Sequence, residues 1–510
     1  MTVELAAVRV LAPHFGSSTA VWTNVIGVVL VALAVGYVLG ARWSRGLAAQ
    51  KRLNAVLVAA SAWLVVLPFV APALGAALRP EEVALQSAIG LFTWGSLAAS
   101  LLLFAPPILV LGTVGPLTTE LVQRSGVEHA GTAGGWVLGA STLGSLVGTF
   151  ATTHLLVPEL GLRPTFFVAA GLLLIAAGAV TLGGASKGLA AGAALLVGAL
   201  IVGDRAPRVA ADDRLVAWGE STSTQVRVIE RDDPERGRLR FLQVGESSDS
   251  FQSVWQPEPG ILPLGFYYND FALPLWWDER LASGACRVLF AGLGAGTGWR
   301  VMLGAKPPGT RLAGVGLEID PLVVELAREH LDLDHPQLEV FAGADARAAL
   351  SCIEGAFDLV VVDAYANQFE IPEHLATVEY FRELRARIAP GGWLVSNAAG
   401  FGFDDPVVRA LGETLATAFD GEVLALSVPY SRNVTLFARR DAAVPTPDEA
   451  AFVPEDAGEV ANQAALRVRS GAWTTYTASD APLTDARGHM VTLQRRSLAR
   501  AQDALEVATP

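Results

Sequence analysis

Three carboxylates in this sequence each follow a short apolar run, and glycines stand close to the first of them. The run Arg287-Val-Leu-Phe-Ala-Gly292 leads straight into Gly292-Leu-Gly-Ala-Gly-Thr-Gly298, in which Gly292, Gly294 and Gly296 permit a tight turn and close approach of backbone to a ligand. The next run ends in Leu317-Glu-Ile-Asp-Pro321, so Glu318 stands 26 positions after Gly292. That is close to the spacing of a residue that holds two ribose hydroxyls; the plain alternative is a strand end facing water. Gly343-Ala-Asp345-Ala-Arg347 places Asp345 either to accept from an adenine amino group or to cap the following helix. Phe357-Asp-Leu-Val-Val-Val362 ends in Asp363-Ala-Tyr365, where Asp363 reads as a catalytic base or as a cap or pocket-solvating group. His374 reads as a solvated helix-start residue.

Positioning these groups requires strands that end at one edge. Strands are expected at 287–292, 312–318, 338–342, 358–363, 392–397, 422–428 and 433–439, with helices such as 321–331, 374–388 and 405–418 between them. Such alternation predicts an α/β doubly wound, Rossmann-like domain over 284–440, mostly parallel, with ligands bound at the carboxyl ends of its strands. Before it, alternating segments at 214–218, 225–229 and 238–243 predict a small antiparallel β unit within 212–280. The tail 441–510 is weakly patterned and is expected to wrap or trail. Cys286 and Cys352, the only two cysteines, form no spaced ligand pair and read as packing residues, and no metal site is expected.

The first 203 residues are of a different kind. They hold 9 Lys/Arg and 6 Asp/Glu, leaving 28 and 44 for the remainder of a 510-residue chain that is 52% hydrophobic and 17% charged. A charge-poor segment followed by an acidic one predicts a multi-span α-helical membrane domain joined to a water-soluble part, and excludes a disordered chain or a basic nucleic-acid binder. Apolar runs at 20–41, 53–78, 84–119, 133–153, 164–186 and 188–203 give six spans, with Met1–Gly16 as the end of a seventh. Pro106-Pro107 makes 84–119 either one kinked helix or two short passes. The basic loop of Arg42, Arg45, Lys51 and Arg52 is expected in the cytoplasm. Gly139, Gly144 and Gly148 are expected to pack tightly within the bundle. The N-terminus, interrupted by Glu4 and Arg9, does not read as a cleaved signal peptide.

Taken in order, these residues resemble the spermidine synthase (polyamine aminopropyltransferase) family, and its membrane-fused branch with major-facilitator-like spans. The resemblance rests on Arg9-Val-Leu-Ala-Pro-His-Phe-Gly16, Trp22, Gly36-Tyr-Val-Leu-Gly40, Phe104-Ala-Pro-Pro107 and Ser141-Thr-Leu-Gly-Ser145. In the soluble part it rests on Glu220-Ser221 with Gln225, Tyr268-Asn-Asp270, the glycine loop, Leu317–Pro321, Asp345-Ala-Arg347, Val362–Tyr365 and Pro372-Glu-His-Leu375. It implies aminopropyl transfer from decarboxylated S-adenosylmethionine to a small amine such as putrescine, with Asp363 as base. It assigns Glu318 to the ribose, Asp345 and Ala346 to the adenine, Gln225 and Tyr268 to the pocket wall, and Asp270 and Tyr365 to the substrate site. It also implies a homodimer through the β unit at 212–243. Because the donor is made in the cytoplasm, it implies a multi-pass protein of the cell (inner) membrane, anchored in the lipid bilayer with its soluble part inside. Ala295 and Ala366 stand where many members carry carboxylates, and Thr224 where many carry Tyr. Ala295 favours an alternative donor, S-adenosylmethionine itself, and methyl transfer. A non-catalytic nucleoside-binding sensor or transporter is the remaining reading, against which stand the retained Asp363 and the lack of mid-span carboxylates.

Overall fold

A computed structural model describes residues 1–15, 19–45, 48–78, 94–126, 129–180, 185–202, 206–207, 209–221, 224–234, 236–244, 251–366, 370–451, 458–486, 490, 492–497 and 499–500. It divides into two compact units, one built on Met1–Arg208 and including Glu220–Gln225, the other on Val226–Val244 and the described residues after 250.

The first unit contains α1 (Thr2–Phe15), α2 (Thr19–Trp43), α3 (Ala49–Ala77), α4 (Ser96–Leu103), α5 (Ala105–Gly112), α6 (Val114–Arg124), α7 (Ala130–Ala151), α8 (Leu162–Val180) and α9 (Ala185–Val202). Among the described residues five stretches are long and apolar enough to cross a bilayer: Val21–Trp43, Ala49–Gly75, Ala105–Arg124, Ala130–Leu160 and Leu162–Val180. This is fewer than the expected six to seven; the run at 188–203 forms α9 but is not one of the five, and the part of 84–119 before residue 94 lies outside the described residues. From Ser96 to Arg124 the backbone follows one kinked path, since Ile108 N–H still reaches the Phe104 carbonyl and Leu117 N–H that of Thr113. Pro106 and Pro107 sit at the start of α5, where a missing N–H costs least.

The expected close packing at Gly139 and Gly144 is not met: a Cβ there would touch nothing within 4 Å among the described residues, and Trp136 on the same helix is 71% exposed. Close approach occurs instead where Gly36 meets Gly112 and where Gly171 meets Gly192, with a hypothetical Cβ on Gly36 falling 2.4 Å from the Leu109 carbonyl and one on Gly171 falling 2.9 Å from that of Gly192. A glycine signals capacity for contact, and its neighbours decide whether the contact is made.

Strands β1 (Arg214–Glu220), β2 (Gln225–Asp233), β3 (Gly237–Val244) and β4 (Ser253–Trp255), which belong to the second unit except for Glu220 and Gln225, form a four-stranded sheet, antiparallel at β2–β3 and β3–β4. The larger sheet contains β5 (Ala285–Ala291), β6 (Arg311–Glu318), β7 (Leu338–Ala342), β8 (Phe357–Val362), β9 (Ile388–Ala399), β10 (Val423–Ser427), β11 (Asn433–Arg439) and β12 (Trp473–Tyr476), in the order β12-β10-β11-β9-β8-β5-β6-β7. Strands β7, β6, β5, β8 and β9 run parallel; β11, β10 and β12 join antiparallel.

Both faces of the central parallel strands β5 and β8 are buried, which explains their unbroken apolar runs. Val288, Phe290, Leu359 and Val361 face one core with Trp299 and Met302 of α10 (Thr297–Ala305) and Val323 of α11 (Pro321–His330). Leu289, Ala291, Val360 and Val362 face another with Phe381 and Leu384 of α12 (Val378–Arg387) and Leu411 and Leu415 of α13 (Pro406–Phe419). Asp320 and Asp405 cap α11 and α13 by accepting from Leu322 N–H and Val407 N–H, each with proline at the next position. Part of the tail, expected to wrap or trail, wraps onto the sheet. It supplies α14 (Glu459–Arg469) and the edge strand β12, whose Trp473 pairs with Leu426 of β10.

Candidate active site

Strand order reverses at β5, which has β6 on one side and β8 on the other. Chains leaving these neighbouring strands diverge to opposite faces and open a crevice at their carboxyl ends. The glycine turn after β5 and Asp363 after β8 both lie there, in contact. Gly292 has φ +90°, and a Cβ on it would fall 2.4 Å from the Asp363 carbonyl oxygen. Gly294 and Gly296 also have positive φ.

Glu318, at the end of β6, is braced by the turn: its Oε2 accepts from Gly294 N–H at 2.9 Å and its Oε1 from Asp320 N–H at 3.1 Å. Burial raises its pKa against these donors. Beside the turn, Ser253 Oγ accepts from Ala295 N–H at 2.9 Å, and Thr297 Oγ1 both accepts from and donates to the backbone of Val254. These bonds fasten β4 to the glycine turn. Among the described residues the side-chain Nε2 of Gln252, next to Ser253, is buried without a hydrogen-bond partner, while its Oε1 accepts from Val244 N–H. An orphaned amide donor costs about 1–3 kcal/mol unless an oxygen meets it, so this atom suits an oxygen of a bound ligand.

Asp363 is held at both oxygens. Asn397 Nδ2, near the end of β9, donates to Oδ1 at 3.0 Å, and the Tyr267 hydroxyl donates to Oδ2 at 3.1 Å. Tyr267 belongs to the 3₁₀ turn Tyr267–Ala272, with its ring 4.2 Å from that of Tyr268. Burial pushes the Asp363 carboxyl up to about 6, against the lowering effect of Asn397 and Tyr267. A carboxyl near 6 is largely ionised at neutral pH yet basic enough to take a proton, and each oxygen keeps a lone pair for a ligand.

The remaining expected site residues are placed differently. Asp345 caps the next turn, its Oδ1 accepting from Arg347 N–H and Ala348 N–H, while its Oδ2 lies 2.9 Å from His374 Nε2. Burial works to raise the Asp345 carboxyl, but the Ala348 amide, His374 and the Arg347 amide outweigh it and lower it. His374 is solvated at the start of a short helix, Glu373–Leu375, as expected, and from there it also meets Asp345. Ala346 is buried beside it.

Asp270 is engaged within the fold. Its carboxylate accepts from Thr435 Oγ1 at 2.7 Å and from Arg467 of α14 at 2.5 and 3.1 Å, a buried ion pair that occupies the group expected at the substrate site. The Tyr268 hydroxyl donates to the Gln252 carbonyl at 2.7 Å, and the adjacent Tyr267 is the one that meets Asp363. The Tyr365 hydroxyl donates to the Asn397 carbonyl and accepts from Ala399 N–H, both at 3.0 Å, pinning the loop after β8 to β9. Gln225 donates to Glu220 Oε1 at 2.7 Å, and both fall in the first unit, so its place in the pocket is a matter for proposal.

Sequence reasoning missed Tyr267, Asn397 and Gln252. Asn397 was within reach of the rule that strand carboxyl ends line the crevice. Choosing Tyr267 over Tyr268 needed the geometry of the turn.

No protein-family profile matches the chain. A protein of Bifidobacterium longum described as a probable polyamine aminopropyl transferase is 32% identical over 215 residues, 39% of this chain and 45% of that protein. A polyamine aminopropyltransferase of Mycobacterium tuberculosis is 28% identical over 338 residues, 59% of each chain. Over these stretches the chain is similar to polyamine aminopropyltransferases. It spans 45% and 59% of the length of these two relatives. A solved structure of a probable spermidine synthase from Corynebacterium glutamicum aligns with 20% identity and a TM-score of 0.38, over 48% of this chain and 85% of that one. Against the spermidine synthase pattern, the side chain of Ala295 is a buried methyl group, and the Ala366 amide donates to the Glu370 carbonyl at 2.8 Å.

Proposed function

We propose that the second unit moves an aminopropyl group from decarboxylated S-adenosylmethionine to a small amine, with Asp363 as general base. The observation that carries this reading is a carboxyl of pKa about 6, held by Asn397 and Tyr267 against the glycine turn. The acceptor nitrogen attacks the carbon beside the sulfonium and the carbon–sulfur bond breaks. Methylthioadenosine leaves, and the amine proton passes to Asp363. Glu318 takes the ribose hydroxyls on its free lone pairs, the Gln252 amide donates to an oxygen of the same ligand, and Ala346 packs on the adenine. The donor's place of synthesis favours a cytoplasmic soluble part on an inner-membrane bundle covering 1–203, with the β unit at 212–243 as a homodimer contact.

The test is mass spectrometry of products from the full chain in detergent with putrescine or spermidine and either donor. A product heavier by one aminopropyl group, lost in Asp363→Asn, supports the reading; the same product at the same rate in the variant removes Asp363 as base. Ala295 favours a second reading, methyl transfer from S-adenosylmethionine, because no carboxylate at that position holds the donor's amine. An added methyl group would decide for it.

A further inference from the structure

The hydrogen bonds to Asp363 do not end at Asn397. Asn433 Nδ2 donates to Asn397 Oδ1 at 2.8 Å, and Ser431 Oγ donates to Asn433 Oδ1 at 2.6 Å. The two asparagines are diagonal neighbours on antiparallel strands, since Asn433 pairs with Ala399 and Thr435 with Asn397, so both side chains lie on one face. We propose that Asn397, Asn433 and Ser431 are positioning residues for Asp363, a one-way chain of donors that holds its carboxylate ionised and correctly turned for the acceptor amine. The proposal rests on Asp363 being the base.

The direction of the chain follows from chemistry at its inner end. An ionised carboxylate only accepts, so Asn397 must present its NH₂ group to Asp363. Its carbonyl then faces Asn433 and must be met by the NH₂ group there, which leaves the Asn433 carbonyl for the Ser431 hydroxyl. Reverse any one member and every later one must turn. If Asn397 presented its carbonyl instead, Asp363 would need a proton to make the bond, and a protonated Asp363 cannot serve as base.

The other groups facing Asp363 do not substitute for this chain. From the 3₁₀ turn come Tyr267 and Tyr268, and from the loop after β8 comes Tyr365; burial and the charge of Asp363 hold all three phenols neutral. Strand β9 brings the Asn397 amide, β11 brings Asn433 behind it, and the glycine turn brings backbone alone. Among the described residues no Lys, Arg or His forms an ion pair with Asp363. Its ionised form is therefore supported by neutral donors, and losing the one at Oδ1 should move its titration up by about one to two pH units.

The experiment is an infrared titration of the full chain in detergent. The protonated-carboxyl band that Asp363→Asn removes is assigned to Asp363 and followed against pH. In Asn433→Asp, of nearly the same size, the new carboxylate can only accept. It draws the Asn397 NH₂ group away from Asp363, and the midpoint should rise by at least about one unit. Asn433→Leu, which leaves Asn397 free to turn, should give a smaller rise. Ser431→Ala, at the outer end of the chain, should give a smaller one still. An Asn433→Asp midpoint equal to that of the parent, in protein that still binds methylthioadenosine, overturns the proposal. If Asn433→Asp does not fold, an unchanged midpoint in both Asn433→Leu and Ser431→Ala overturns it. Because the band is read without turnover, failure of the base reading shows separately, as an Asp363→Asn variant that retains full activity.

Discussion

Replacing Asp363 by Asn should stabilise the second unit while abolishing its chemistry, and the gain should depend on pH in one direction. An ordinary aspartyl group has a pKa of 3.8, and burial takes this one to about 6. A carboxyl whose pKa is higher in the folded state binds its proton more tightly there. Folding is therefore undisturbed below about pH 4 and loses stability as pH rises towards 6, with a constant deficit above that. At about 1.4 kcal/mol per pH unit the shift corresponds to about 3 kcal/mol, which solvent screening of a half-buried residue reduces to about 2 kcal/mol. An asparagine carries no charge to desolvate and can still accept from one partner, with the Tyr267 hydroxyl free to rotate. For a unit of this size the gain is a rise of about 4–8 °C in unfolding midpoint at pH 8, and close to none at pH 4. The assay is thermal unfolding of parent and variant in one detergent from pH 4 to pH 8, reading the difference so that other titrating groups cancel. A difference that stays flat with pH, or a variant less stable at pH 8, would refute the argument that burial of this carboxylate is what raises its pKa.

Two other perturbations test the frame around the site. Arg467→Ala leaves the Asp270 carboxylate buried without its cation, which should cost about 3–5 kcal/mol and lower the denaturation midpoint, more than any truncation on the exposed face of α14. Gly292→Ala introduces a Cβ 2.4 Å from the Asp363 carbonyl at φ +90°; methylthioadenosine binding, measured by calorimetry, should weaken by at least about tenfold.

The parallel core was legible because burial on both faces writes the strands as apolar runs of five to eight residues. Expected strands at 312–318 and 358–363 match β6 and β8 to within one residue. The glycine turn, Glu318 and Asp363 were legible for a related reason: each follows directly on such a run, and the carboxyl ends of neighbouring parallel strands share one crevice. What was not legible lies in contacts between distant segments. Strand β12 has four residues and no alternation, so only its pairing with β10 makes it a strand. The resemblance implied a substrate-site role for Asp270, yet Arg467, 197 positions later, holds its carboxylate. Gly139 and Gly144 have the spacing of a packing surface, and among the described residues nothing packs on them.

By itself, then, the sequence determined which segments are apolar enough for a membrane, which form a doubly wound sheet and which carboxylates stand at its strand ends. Those are properties of local composition and period. The tertiary structure decided what each carboxylate faces. Asp363, Asp345 and Asp270 are chemically identical in the chain, and they become a buried group titrating near 6, a turn-bracing carboxylate with lowered pKa and half of an internal ion pair. The physical reason is that a pKa and a hydrogen-bond role depend on desolvation and on partners a few ångströms away, and folding draws those partners from every part of the chain.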